Sequence, residues 1–181
     1  VGQVLNSVRS SKAAKNTLVF FTSDNGPWLI FNEQGGSAGL LRDGKGSTWE
    51  GGMREPTLAW WPGTIKPGSV SRELASTMDI YSTASDLAGV EVPDDRTMDS
   101  YNLLPILKGE TGQRSSLFYY RGYRLMAVRH GGWKMHLMTQ NAYGQPEPVR
   151  HDNPLLFNLH VDPSESRDVA KTHPEVIARL Q

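Results

Sequence analysis

A short apolar run that ends in a polar turn is the feature that most constrains the fold of this sequence. Residues 17–22 (TLVFFT) are apolar on both faces of an extended chain, a pattern typical of a strand buried in a parallel sheet. Residues 57–61 (TLAWW) form a second such run, closed by Pro62 and Gly63. Residues 23–56, between the runs, are rich in glycine and polar side chains, and a loop of this length is usually functional.

The pattern that follows predicts one helix and then a change of architecture. Residues 78–88 have helical periodicity, with Thr77 as the expected N-cap and an apolar face formed by Ile80, Ala84, Leu87 and Ala88. A second, short helix is expected at residues 103–108. Strand-like runs then replace helices, at residues 116–120, 125–130, 133–139 and 155–159. Gly131 and Gly132 are a natural hairpin connection between two of these runs.

These elements predict an α/β fold that is followed by a small antiparallel sheet. We expect residues 1–110 to belong to an α/β domain, and residues 111–181 to form a small α+β subdomain that closes with an amphipathic helix. The first residues read as the end of an amphipathic helix, which suggests a fragment of a longer protein.

Composition excludes several classes of function. The 181 residues contain 19 Lys plus Arg and 19 Asp plus Glu, so no net positive charge favours a nucleic acid partner. No apolar run is long enough to cross a membrane. The sequence has no cysteine, which excludes disulfides and thiolate metal sites within it.

The first candidate site is Asp24-Asn25-Gly26, directly after the first apolar run. Ligands of open α/β sheets bind at the carboxyl ends of strands, and neighbouring Asp and Asn side chains offer the oxygen ligands that Ca²⁺ or Mg²⁺ prefers. The same tripeptide is also a common turn, so this pattern alone leaves both interpretations open.

Lys45 is the second candidate, because it lies between two glycines deep in the loop. Flanking glycines let the backbone approach an anion, and a lysine there binds a sulfate or phosphate oxygen as a point charge. A solvated loop lysine is the alternative. Arg54 stands between Glu50 and Glu55, and we expect a structural ion pair from it rather than a catalytic group.

A third candidate comes from charge asymmetry. Residues 111–146 contain no Asp or Glu, although five Lys and Arg residues fall there. If residues 133–139 form a strand, Lys134 and His136 share one face while Trp133 and Met135 share the other. The basic face is either solvated or a subsite for an anionic glycan that looks towards the loop with Lys45.

Several of these motifs, in this order, resemble the type I, formylglycine-dependent sulfatases. The matching stretches are FFTSDNG, GKG, EGGMREP and WWPG in the first part of the sequence, and FYYRG, KMH and LLFN later. The resemblance implies the C-terminal part of an alkaline-phosphatase-like sulfatase fold, followed by a small antiparallel-sheet subdomain. It also implies that Asp24 and Asn25 are ligands of a single Ca²⁺, and that Asp24 helps to activate the nucleophile. Lys45 would bind the sulfate and act as a catalytic residue.

The nucleophile of that family is missing from this sequence. The family makes formylglycine from a Cys or Ser in the motif C/S-x-P-S-R, and no such motif occurs here. The resemblance therefore implies that an N-terminal half supplies the formylglycine and the remaining Ca²⁺ ligands, and that this chain is inactive alone. The expected substrate is a sulfated glycan or an aryl sulfate. The resemblance also implies a lysosomal, secreted or periplasmic location and allows a homo-oligomer.

Two other functions remain open at this point. A phosphodiesterase or phosphonate hydrolase of the same superfold would use a metal and a lysine in the same way. A non-catalytic glycan-binding module would keep the basic face and lose turnover.

Overall fold

The computed structural model describes residues 1–181, which divide into two compact units. The first unit contains Val1–Thr22 and Thr57–Arg114, and the second contains Ser23–Pro56 and Ser115–Gln181. The loop that interrupts the first unit therefore clusters with the C-terminal part of the chain. None of the helices has the length and apolar character needed to span a bilayer.

The first unit contains a pair of short strands and three helices. Strand β1 (Val19–Thr22) pairs antiparallel with β2 (Thr57–Trp60). The helices are α1 (Gly2–Arg9), α3 (Asp79–Leu87) and α4 (Leu104–Leu107). Helix α2 (Glu50–Met53) belongs to the second unit. The expected strands and helices are therefore present, with ends that differ by one or two residues.

Two details of the first unit correct the sequence prediction. The expected parallel pairing of β1 is wrong, and Phe21 and Leu58 are 51% and 68% exposed, because two strands alone do not cover both of their faces. Helix α3 buries its polar residues instead of its apolar face. Asp79 is fully buried, since its carboxylate forms an ion pair with Arg114 and accepts the backbone N–H of Ser76 at 2.7 Å. The expected cap by Thr77 is wrong, because Met78 is the N-cap residue and no side chain caps this helix.

The second unit is built on a four-stranded antiparallel sheet in the order β3-β4-β5-β6. Its strands are β3 (Ser116–Arg121), β4 (Arg124–His130), β5 (Trp133–Thr139) and β6 (Val149–Asn158), and helix α5 (Pro174–Leu180) closes the chain. Gly131 adopts φ +55° in the β4–β5 hairpin, as the sequence predicts. The predicted antiparallel sheet and C-terminal helix are confirmed, but the last strand begins at Val149, six residues before the predicted run of 155–159.

Both faces of strand β5 are covered, one by helix α5 and the other by the loop of residues 23–56. On one face Met135 packs with Leu156 and with Val176 of α5, which forms an apolar core. On the other face the loop of residues 23–56 lies against the sheet, and Trp49 packs with Phe157 and Leu159. The loop is therefore part of the folded second unit, and its buried part forms the second layer over the sheet.

Candidate functional site

Two stretches of the loop cross at close range near its start. The backbone N–H of Lys45 donates to the carbonyl of Pro27 at 2.9 Å, and that of Gly26 donates to the carbonyl of Gly52 at 3.1 Å. Glycine is required at this crossing, because a Cβ on Gly26 would overlap the carbonyl oxygen of Gly51. The loop thus folds back on the residues that directly follow the Asp-Asn pair, as a site made of both segments needs.

The three residues predicted to meet the metal and the anion are accessible. Asp24 and Lys45 are exposed and Asn25 is half-buried. The hydroxyl of Ser23 donates to the backbone carbonyl of Asn25 at 3.0 Å, which holds the Asp-Asn pair in a turn. The ammonium of Lys45 lies 5.3 Å from the centroid of the Trp28 ring and has no carboxylate partner.

The carboxyl of Glu55 lies close enough to Asp24 to respond to its charge. Burial raises the pKa of the Glu55 carboxyl, and the negative charge of Asp24 adds to this rise, although a hydrogen bond with Ser23 opposes it. The oxygen Oε1 of Glu55 is buried and has no hydrogen-bond partner. No group of three or more His, Cys, Asp or Glu residues in the structure is arranged to hold a metal ion. The assignment of Asp24 and Asn25 as Ca²⁺ ligands stays a prediction.

Behind the accessible residues lies a cluster of four fully buried ionisable side chains, Glu50, Lys134, His136 and Glu165, here called the ionic cluster. The ammonium of Lys134 lies 3.0 Å from Glu50 Oε1 and 3.0 Å from Glu165 Oε1. His136 Nε2 donates to Glu165 Oε1 at 2.6 Å. The backbone N–H of Glu50 donates to Glu165 Oε2 at 2.6 Å. The cluster therefore joins the loop, the sheet and the segment after β6.

Further cations and a hydroxyl surround Glu50. Arg54 lies 2.6 Å from its Oε2, Arg129 lies 3.4 Å from the same oxygen, and the Tyr119 hydroxyl donates to Oε1 at 3.0 Å. Burial alone would raise the pKa of Glu50, but Lys134, Arg54 and Arg129 outweigh it and lower the pKa to about 2. The predicted ion pair of Arg54 is confirmed. Glu50 is therefore charged at any physiological pH.

His136 is a neutral member of the cluster. Burial is the main cause that lowers its pKa, and the positive charge of Lys134 acts in the same direction, while Glu165 opposes both. Its ring lies 4.3 Å from that of Trp49, and its Nδ1 is buried without a hydrogen-bond partner. A neutral imidazole with the proton on Nε2 fits these contacts, since that nitrogen faces a carboxylate.

The positions of Lys134 and His136 correct one of the two interpretations drawn from the sequence. A solvated basic face is wrong, because both side chains are 0% exposed. They do face the loop that carries Lys45, through the carbonyl of Thr48 and the carboxylate of Glu50. Their role as a substrate subsite stays a prediction, and in this structure neither side chain has a surface that a glycan can touch.

Glu165 and Tyr119 are the residues that the sequence reasoning missed. One signal for Glu165 was present in the sequence. Residues 111–146 contain five Lys and Arg and no Asp or Glu, so any of these cations that is buried needs a carboxylate from another part of the chain. Glu165 lies just after the last strand and adopts φ +50°, a conformation that few side chains accept. Its place at a turn gave no indication that its carboxylate points into the core.

Two family models match the chain. The one described as Sulfatase matches residues 1–90, and the one described as the C-terminal region of aryl-sulfatase matches residues 112–181. N-acetylgalactosamine-6-sulfatase of Mus musculus is 44% identical, and the match covers 91% of this chain and 36% of that protein. Human arylsulfatase A is 40% identical over 100% of this chain and 39% of its own length. The chain therefore spans well under half of these relatives.

Solved structures agree with the sequence matches. The PsFucS1 sulfatase from Pseudoalteromonas sp. superposes with a TM-score of 0.90 at 28% identity, over 99% of this chain and 38% of that one. A structure from work on glycosaminoglycan metabolism by Bacteroides thetaiotaomicron gives a TM-score of 0.79 at 30% identity, over 99% of this chain and 40% of that one. The predicted fold class, the C-terminal part of the sulfatase fold with a small antiparallel sheet, is confirmed.

Proposed function

The chain belongs to the sulfatase family, and on this premise we propose that it is the C-terminal part of an enzyme that hydrolyses sulfate esters. One observation carries the proposal. An exposed lysine, Lys45, sits on a loop whose base is fixed by buried ions and whose backbone folds back beside the segment after Asp24. This arrangement presents the ammonium of Lys45 to a sulfate group without rearrangement of the backbone. The proposed metal ligands Asp24 and Asn25 lie on the same loop and are also accessible.

Lys45 is proposed to bind a sulfate oxygen and to stabilise the negative charge that develops as the ester bond breaks. An ammonium with no carboxylate partner keeps its full charge for the substrate, and it costs no reorganisation when the reaction begins. Because the position is exposed, a substrate can reach the ammonium.

Asp24 and Asn25 are proposed to hold one Ca²⁺, together with ligands from outside this chain. The fit rests on two neighbouring oxygen-bearing side chains that solvent reaches, and on the charge of Asp24, which contributes to the raised pKa of Glu55. When bound, the ion supplies positive charge that polarises the sulfate group. This chain would contribute Asp24 and Asn25 as ligands of that ion, and Lys45 as a second positive charge for the sulfate group.

The nucleophile is proposed to come from an N-terminal part of the same protein. The chain has neither a cysteine nor the serine motif from which the family makes formylglycine, and it spans 36% and 39% of the relatives described above. We therefore expect the 181 residues alone to be inactive. Nothing in the structure favours the phosphodiesterase or the glycan-binding alternative over this function.

The proposed substrate class is a sulfated sugar, with aryl sulfates as probes. Relatives named N-acetylgalactosamine-6-sulfatase are 44% and 43% identical to the chain, and arylsulfatase A is 40% identical. A lysosomal, secreted or periplasmic location is inferred from the family, and an oligomer stays a prediction.

The experiment compares Lys45→Ala and Asp24→Ala with wild type in a protein of the relatives' length that carries this chain. We expect Lys45→Ala to lower kcat/KM for 4-nitrophenyl sulfate by about 10²–10³-fold, the usual loss of one charge-stabilising group. Asp24→Ala should also abolish Ca²⁺ binding, followed by calorimetry as a readout independent of turnover. Unchanged kcat/KM in Lys45→Ala would overturn the proposed role of this residue.

A further inference from the structure

The ionic cluster holds the loop at two points on either side of a short exposed segment. Lys134 Nζ donates to the carbonyl of Thr48 at 2.8 Å and contacts Glu50, so one ammonium fixes backbone and side chain of the same stretch. On the other side, Arg42 donates to the backbone carbonyl of Glu165 at 3.0 Å. Between Arg42 and Thr48 lies the segment with the exposed lysine.

That segment is a tight turn with a buried base and an exposed tip. The backbone N–H and the hydroxyl of Ser47 both donate to the carbonyl of Gly44, at 3.1 and 3.0 Å. Gly44, Ser47 and Thr48 are buried, whereas Lys45 and Gly46 between them are exposed. The direction in which Lys45 leaves the turn is therefore set by the buried residues that flank it, and one of these, Thr48, is held by Lys134.

Lys134 has no remaining capacity for a substrate. Its ammonium donates to the carbonyl of Thr48 at 2.8 Å and to Glu50 Oε1 at 3.0 Å, and it lies 3.0 Å from Glu165 Oε1 in an ion pair, so its surroundings are filled by acceptors of the protein itself. A saturated and fully buried ammonium fixes the mutual geometry of its acceptors, which belong to the loop and to the segment after β6. An apolar contact at the same place would constrain the loop through shape alone, because apolar contacts are not directional as hydrogen bonds are.

We infer that Lys134 is a positioning residue, which acts on the reaction through Lys45 by fixing the turn that presents it. The inference rests on the function proposed above and replaces direct substrate contact by Lys134 with an indirect role. A displacement of about 1 Å at a reacting group is enough to cost up to ~10²-fold in rate, so a shift of the turn is expected to be visible in turnover.

The test is a mutant cycle in the full-length enzyme that carries this chain. The variants are Lys45→Ala, the charge-matched double variant Lys134→Met/Glu50→Gln, and the combination of all three changes. The readouts are kcat/KM for 4-nitrophenyl sulfate and inhibition by inorganic sulfate. Met135→Ala is the matched control, because Met135 is the next residue on β5, equally buried, and packs on the opposite face.

We expect the double variant to lose about 10-fold or more in kcat/KM and to bind sulfate more weakly, whereas Met135→Ala changes kcat/KM by less than about 3-fold. The triple variant should be no worse than Lys45→Ala, because a residue that acts through Lys45 has no effect once Lys45 is gone. Wild-type kcat/KM in the double variant, or losses that multiply in the triple variant, would overturn the inference.

Lys134→Arg provides a second route if the double variant does not fold. It keeps a positive charge between the two carboxylates, but a planar guanidinium does not reproduce the three directions of an ammonium. The expected loss again disappears in the Lys45→Ala background, and wild-type kcat/KM in Lys134→Arg contradicts the inference. If Lys45→Ala itself has wild-type activity, the proposed function fails at that residue independently of Lys134.

Discussion

The two faces of strand β5 show two ways of burying the same strand. Met135 meets Leu156 and Val176 in an apolar core, and one residue away Lys134 meets two carboxylates with no exposed surface. The apolar face, which carries Met135, packs against helix α5. This contact requires only that water is excluded. The ionic face, which carries Lys134 and His136, holds the loop that contains Lys45. Each hydrogen bond there also fixes the orientation of the loop. The difference indicates that charge is buried where orientation matters.

The largest expected effect comes from removing the cation at the centre of the ionic face. Lys134→Met leaves Glu50 and Glu165 buried without this partner, which should lower the free energy of unfolding by about 3–5 kcal/mol. Urea denaturation at pH 7 measures the change. Adding Glu50→Gln to the variant should recover part of the loss, because one buried charge is removed. A loss below about 1 kcal/mol in Lys134→Met would show that the face is not held by ions.

Acid should weaken the ionic face and leave the apolar face unaffected. The pKa of Glu50 is lowered from 4.5 to about 2 in the folded state, so the folded protein binds fewer protons than the unfolded chain between these values. The stabilisation is complete above pH 4.5 and is lost as the pH falls through about 2. The total is roughly 3 kcal/mol for this group, from the free energy that corresponds to each pKa unit.

Unfolding free energies of wild type and Glu50→Gln, measured from pH 7 to pH 2.5, separate this contribution from that of other carboxyls. The wild-type curve should fall more steeply below pH 4.5. Parallel curves for the two proteins would contradict the assignment of the low pKa to Glu50. His136, whose pKa burial also lowers, contributes stability that is lost at a higher pH, below its usual value of 6.5.

The apolar face is expected to respond to loss of volume alone. Val176→Ala removes two methyl groups from the contact with Met135 and should lower the free energy of unfolding by about 1–3 kcal/mol. The change should be the same at pH 7 and pH 4, because no ionisable group of the ionic cluster is touched. A pH-dependent difference between Val176→Ala and wild type would show that the two faces are coupled.

The smallest effect belongs to the neutral donor on the ionic face. Tyr119→Phe removes a single hydrogen bond to Glu50 Oε1 and should cost about 1 kcal/mol, the ordinary value for such a bond. Glu50 keeps its three cationic partners in this variant, so its acid transition should shift by much less than one pH unit. A cost comparable to that of Lys134→Met would place the tyrosine at the centre of the face.

The strands and helices were predictable because their patterns are local. Residues 133–139 alternate as a strand does, and Gly131 and Gly132 mark the hairpin, so β5 and its neighbours follow from sequence. The partners of the loop did not follow, because Glu165 shares no periodicity with Lys134 or Glu50. The polar burial of α3 was missed for the same reason, since Asp79 is drawn inward by Arg114, which lies 35 positions away.

The accessible residues of the candidate site were predictable from the sequence, but the buried residues that hold the loop in place were not. Asp24, Asn25 and Lys45 were named from neighbouring residues and from resemblance, and the structure leaves their side chains accessible. Their roles in binding Ca²⁺ and sulfate stay predictions. The burial of Lys134 and His136 had no local signal, because a basic strand face looks the same in sequence whether water or a glutamate covers it.

The contact between Glu50 and Glu165 joins residues that are 115 positions apart, and this has a consequence for the order of folding. During synthesis the loop leaves the ribosome long before the segment that completes its buried layer. Until Glu165 and the sheet are present, the charged residues around Glu50 cannot be buried, and the orientation of Lys45 is not fixed. The part of the chain that is proposed to meet the substrate is thus made well before the segment that completes its support.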